Sequence, residues 1–139
     1  MNFLGLIVAL ATFMGIWWGH VGVRVIERKA QKLWIPITGA ILLGIGLETI
    51  ALLASNRMLS AAAGILGVTI MWDAFEFVRQ EKRIKHGHAP ANPENPRHAR
   101  ILEELNTATT VDLLDREPVG REVTLEEATA MVRTPVDRI

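Results

Sequence analysis

Glu48 is the residue of this chain whose position most demands a chemical reason. It sits about six residues, or ~9 Å, inside one end of an apolar stretch, where a charge costs at least ~2.5 kcal/mol. One reading is a proton- or cation-carrying carboxylate of a small transporter. The other is a carboxyl kept neutral, paired with Arg57 reaching back from the adjoining turn, or hydrogen-bonded to Thr12 or Ser60. A second polar group comprises His20, one turn before Arg24, and the stripe Thr69, Asp73, Glu76, Gln80 beside Trp72. Asp73 and Glu76 share a helix face and repel each other unless His20, Arg79 or Arg83 supplies positive charge. Together they suit a hydrogen-bond network joining the first and third helices. His20, Asp73 and Glu76 are also acceptable metal ligands, but no His-x-x-His or Glu-x-x-His spacing supports a metal. With one histidine inside a span, bis-histidine haem ligation would require a dimer. His86-Gly87-His88 reads as a helix end. The sequence carries no Gly-rich phosphate loop, Gly-x-Ser-x-Gly elbow or zinc-protease motif, and with no cysteine there is no thiolate or disulfide chemistry. We therefore assign no catalytic, metal or cofactor residue and expect no enzyme.

These groups must be positioned by three apolar stretches, Phe3 to Val23, Leu33 to Ala54 and Leu59 to Phe77. Each is about 20 residues, enough helix to cross ~30 Å of hydrocarbon. The expected fold is an all-α membrane protein with three transmembrane helices. Arg24, Arg28, Lys29 and Lys32 follow the first stretch and Arg79, Lys82, Arg83 and Lys85 follow the third, while only Arg57 lies between the second and third. Because basic loops stay cytoplasmic, the N-terminus is expected outside and the C-terminus inside. Trp17, Trp18, Trp34 and Trp72 fall near the same, cytoplasmic ends, where indoles anchor at the headgroups. Met1-Asn2-Phe3 has no basic n-region, so the first stretch is expected to be a retained anchor. Formally zero net charge argues against a nucleic-acid partner.

Membrane helices associate through small residues, and each stretch has such a stripe. Gly5, Thr12, Gly15, Gly19 and Gly22 align in the first, Ala40, Gly44, Glu48 and Ala51 in the second, and Ser60, Ala63, Gly64 and Gly67 in the third. They serve packing within one chain or, for the Gly15-x-x-x-Gly19 face, a homodimer. Ser55-Asn56-Arg57-Met58 is short enough to force an antiparallel hairpin. Pro36 marks the start of the second helix. Arg24 to Lys32 extends the first helix or lies along the surface, with Glu27 paired to Arg24 or Arg28.

All eight aromatic residues lie at or before Phe77, so the remaining 62 residues cannot build a sizeable core. Residues 1–88 are expected to form the membrane domain, with Val78 to His88 continuing the third helix toward anionic headgroups. Residues 89–96, with prolines at 90, 93 and 96, read as a semi-rigid spacer. Residues 97–139 form an acidic cytoplasmic tail with two short helical patterns: Arg97 to Leu105, presenting Ile101, Leu102 and Leu105, and Thr124 to Val132, opened by a Thr124/Glu127 capping box. Helices this short are marginal alone, so the tail is disordered, docks on its own chain or docks on a partner.

The run Trp72, Glu76, Gln80-Glu81, Arg83, Gly87, Pro90, Asn92-Pro93, Arg97, with Met1-Asn2-Phe3, Gly5, Thr12-Phe13, His20, Glu27 and Trp34, resembles a family of short bacterial membrane proteins catalogued only as a domain of unknown function. The resemblance covers roughly residues 1 to 97; the long tail and His88-Ala89 depart from it. It implies fold and a bacterial inner-membrane location but no activity. It singles out His20, Glu27, Trp34, Trp72, Glu76, Gln80 and Arg83. The leading functional expectation is an accessory or scaffolding subunit presenting its tail to a protein partner or homo-oligomer. The alternatives are an oligomeric ion-coupled carrier using Glu48 and a metal- or haem-binding membrane subunit.

Overall fold

The computed structural model describes residues 3–115 and 124–126. Among them are three long helices, α1 (Leu4–Lys29), α2 (Trp34–Leu53) and α3 (Arg57–Lys85), then the short α4 (Pro96–Glu104) and a 3-10 turn at Leu113–Asp115, with no strand. α1, α2 and α3 are each long and apolar enough to cross a membrane. Only 22%, 6% and 11% of their apolar windows are buried against protein, so most of each helix surface is left for a nonpolar surrounding.

α3 is the central element: α1 and α2 both pack on it rather than on each other. Asn56 caps its start, the side-chain oxygen accepting from the Met58 and Leu59 N–H groups at 2.9 and 3.2 Å. The Ser60 hydroxyl donates to the Ala51 carbonyl at 2.7 Å, closing the α2–α3 hairpin. The contacts run along the small-residue stripes. A Cβ added to Gly15 would lie 2.7 Å from the Thr69 hydroxyl, one on Gly19 2.6 Å from Asp73 Oδ1, and one on Gly44 2.9 Å from the Gly67 carbonyl oxygen. The Gly15 and Gly19 face is therefore packed on α3 of the same chain, the first of the two arrangements the sequence allows for it. Val23, Ala40, Ala74 and Phe77 form the core where the three helices meet.

The structure differs most from the sequence reading after α3. Lys85 ends the helix and Gly87, at φ 70°, turns the chain: the His88 N–H donates to the Arg83 carbonyl at 2.7 Å and the Gly87 N–H to that of Ile84 at 3.0 Å. This is a Schellman turn, for which glycine is the low-strain residue. The residues expected to be a spacer then fold back. Ala89, Ala91, Ile84 and Ile101 form a second core, with Leu102 and Ala108 packed against it. Thr107 donates to the Lys85 carbonyl at 2.6 Å, and the Ala91 N–H to the Thr109 carbonyl at 2.8 Å. The division at 96/97 is crossed by α4, with Asn95 as N-cap and Pro96 as first residue. Residues 86–109 are thus a packed cap on the ends of α1 and α3. Most of the Thr124 to Val132 pattern lies outside the described residues.

Candidate functional site

The cap is held by a polar cluster built on the end of α1. A helix leaves its last carbonyls without intrahelical donors. Here they receive side chains from the cap: Asn92 and Asn95 donate Nδ2 to the Arg28 carbonyl at 3.2 and 3.1 Å, Asn95 also donates to Ala30 at 3.0 Å, and Arg97 donates Nη2 to Glu27 at 3.0 Å and Nε to Ala30 at 3.3 Å. Beneath them Glu27 is 1% exposed. Its Oε1 accepts from Arg97 Nη2 at 2.6 Å and from His98 Nε2 at 3.1 Å. The His98 ring is fully buried, and its Nδ1 accepts the Asn92 N–H at 3.0 Å, so Nε2 is the protonated nitrogen. Arg97 also reaches Glu81 at 3.1 Å, which pairs with Lys85 at 2.6 Å. The expected pairing of Glu27 with Arg24 or Arg28 is corrected. Burial of a carboxylate demands a partner that travels with it into the interior, and Arg97 and His98 supply that at Oε1, while Oε2 is buried without a hydrogen bond among the described residues.

Beside this lock lies a partly enclosed chamber of about 570 Å³ between α1, α3 and the cap. His20, Arg24 and Arg28 come from one stripe of α1, Gln80 and Arg83 from α3, and His88 from the turn after it. Glu27 and Asp112 also reach its wall. Gln80 is buried, and its Oε1 accepts from Arg83 at 3.1 Å. Four sequence candidates, His20, Glu27, Gln80 and Arg83, are thus brought together. In the sequence Arg24 and Arg28 serve as topology signals and as partners for Glu27, although their spacing from His20, every fourth residue, already places the three on one face. Sequence reasoning missed Arg97 and His98 as partners of Glu27, and Asn92 and Asn95 as donors to the Arg28 and Ala30 carbonyls. The signal available was an Asn-Pro pair repeated three residues apart, 92-93 and 95-96.

The expected His20, Asp73 and Glu76 network is not formed. Glu76 turns along α3 to Arg79 at 3.2 Å and Arg83 at 3.5 Å, while Asp73 packs on Gly19 and His20 faces the chamber. The short approach at Gly15 and Gly19 joins α1 to α3 in its place. Among the described residues no three His, Asp or Glu side chains converge as a metal set. Trp72 is exposed and lies against Phe75, ring centroids 5.7 Å apart.

Glu48 faces α3, with Oε1 2.5 Å from where a Gly67 Cβ would stand. The partners expected for it are otherwise engaged: the Ser60 hydroxyl serves Ala51 and the Thr12 hydroxyl serves the Val8 carbonyl at 2.9 Å. No Arg57 pair forms, and Oε1 is buried without a hydrogen bond among the described residues. Gly67 admits the carboxyl by lacking a side chain.

A family model matches residues 2–95. The chain belongs to DUF4491, a domain of unknown function. No curated protein and no solved structure matches it. The DUF4491 match covers α1 to α3 and the first part of the cap, ending at the Asn95 N-cap, so Arg97 and His98 stand just past the matched residues.

Proposed function

We propose that this DUF4491 protein is a multi-pass protein of the bacterial cytoplasmic membrane, N-terminus outside and C-terminus inside. In that setting it is a non-enzymatic accessory or scaffolding subunit that offers its C-terminal region to a protein partner. The basic residues clustered at the ends of α1 and α3 support the orientation. The observation that carries the role is the cap itself. Locked to α1 through Glu27, Arg97 and His98, it makes the chain beyond α4 depart from a fixed point at the membrane surface. Leu105 and Leu113 are exposed there, outside the apolar spans. Scattered surface leucines are ordinary, but two beside a tail on a rigid base are suited to a docking helix or groove.

The test is capture from detergent with the full chain and with a chain ending after Asp115. Ending the chain before His98 would dismantle the lock and confuse folding with recognition. Loss of a stoichiometric partner with the cap intact is the expected result; unchanged partners and a monomeric particle would count against the role. A reporter fused after Ile139 tests the orientation and is expected to be cytoplasmic.

The buried, unpaired Oε1 of Glu48 favours a second reading, an ion-coupled carrier. Three helices enclose no aqueous route, so that reading requires an oligomer.

A further inference from the structure

We infer that the chamber between α1, α3 and the cap is a binding site for a phosphate oxyanion, carried on a lipid headgroup or free in solution. This rests on α1 to α3 spanning the membrane and not on the accessory role. Three guanidiniums, Arg24, Arg28 and Arg83, and two imidazoles, His20 and His88, reach the same space from three segments of the chain. Two acids, Glu27 and Asp112, reach its wall, and Glu27 is engaged by Arg97 and His98. Neighbouring Glu76 is shared between Arg79 and Arg83.

Arg24 and Arg28 form no ion pair among the described residues. They stand four apart on one helix face, a like-charge arrangement that disfavours the helix unless an anion lies between or across them. Guanidinium forks match the oxygens of phosphate better than a point cation does. Gln80 adds a neutral donor: Arg83 occupies its Oε1, and its NH2 has no protein partner among the described residues. The wall is rigid, because Glu27 and Gln80 are buried and the cap over it is pinned to the carbonyls of α1. Those same bonds quench the negative ends of the α1 peptide dipoles, which would otherwise oppose an anion. His20 and Arg24 also line a hollow that continues along α1 past Val21 and Val25. A headgroup phosphate in the chamber would leave its acyl chains beside that apolar strip.

The experiment is native mass spectrometry of the full-length protein in detergent, titrated with phosphatidic acid, with phosphatidylcholine as reference and with inorganic phosphate as competitor. Thermal melts in the same phosphate series accompany it. The Arg24→Gln/Arg28→Gln pair is compared with Lys29→Gln/Lys32→Gln, which removes equal charge from the same end but from the cleft between α1 and α2. Arg28→Gln alone, at an exposed position, serves if the pair does not fold. We expect one phosphatidic acid retained by the wild type, about tenfold weaker retention in the arginine variants, and none of that loss in the lysine pair. Lipid retention that phosphate does not displace identifies a headgroup. Phosphate that stabilises the wild type and not the arginine variants, without lipid retention, identifies a soluble anion at the same site. Equal losses in the arginine and lysine pairs would mean diffuse surface attraction and overturn the site, as would a wild type that responds to neither probe. A chain that stays soluble without detergent would remove the membrane premise, while the phosphate arm would still read the chamber.

Discussion

Arg97 stands 70 residues after Glu27 in sequence, yet its Nη2 lies 2.6 Å from the Glu27 carboxylate and 3.0 Å from the Glu27 carbonyl. One guanidinium thus neutralises a buried acid and caps the helix that carries it. This contact ties the cap to α1, while the Ile84 core and the Thr107–Lys85 bond tie it to α3.

Removing one member should therefore cost more than removing both. Arg97→Met leaves Glu27 buried with only His98 as donor, an expected loss of about 3 kcal/mol, whereas Glu27→Gln with Arg97→Met recovers part of it. Unfolding in detergent, run as a double-mutant cycle, reads the coupling. Strictly additive losses would show that the two groups do not support each other.

Asn95 has two jobs that substitution can separate. Its Oδ1 accepts the Arg97 N–H at 3.0 Å as the N-cap of α4, and its Nδ2 donates to the carbonyls of Arg28 and Ala30. Asn95→Asp retains the cap and sets a carboxylate against two carbonyls. Proteolysis between residues 86 and 105 should rise at least as much for Asn95→Asp as for Asn95→Ala. An aspartate variant as protected as the wild type would show that capping alone holds α4.

The glycines of the spans should sort by what they touch. Gly44→Ala and Gly67→Ala press a Cβ onto the facing backbone, 2.9 Å from the Gly67 oxygen and 3.1 Å from the Gly44 oxygen, and should each cost about 1–3 kcal/mol. Gly39→Ala and Gly46→Ala meet nothing within 4 Å and should be neutral or stabilising. Melting temperatures in one detergent test this, and a uniform response across the four would show that α2 and α3 do not pack this closely.

That contrast shows why the spans were legible and the cap was not. Apolar length and the four-residue recurrence of Gly15, Gly19, Ala40, Gly44 and Gly67 are local properties, and they sufficed to place the helices and the faces that meet. The prolines at 90, 93 and 96 are equally local, and they denote only the absence of a regular helix. Whether such a segment extends or folds back was decided by Asn92 and Asn95 finding carbonyls 64 to 67 residues earlier. No short-range pattern encodes that. Glu27 misled for the same reason: helix spacing offered it Arg24 and Arg28, both left at the surface while the carboxylate was buried under Arg97.

Glu48 gives the sharpest separation between structure and transport. A carboxylate whose Oε1 is buried without a donor is costly when charged, so Glu48→Gln, nearly isosteric, should melt no lower than the wild type. Glu48→Ala should melt lower, because it empties the space against Gly67. Proton flux in reconstituted vesicles then divides the readings. Flux in the wild type that falls to background in a stable Glu48→Gln protein would establish the carboxyl as a carrier. Equal flux in both, with unchanged stability, would confine Glu48 to packing against Gly67 and leave the cap and its chamber as the working end of the molecule.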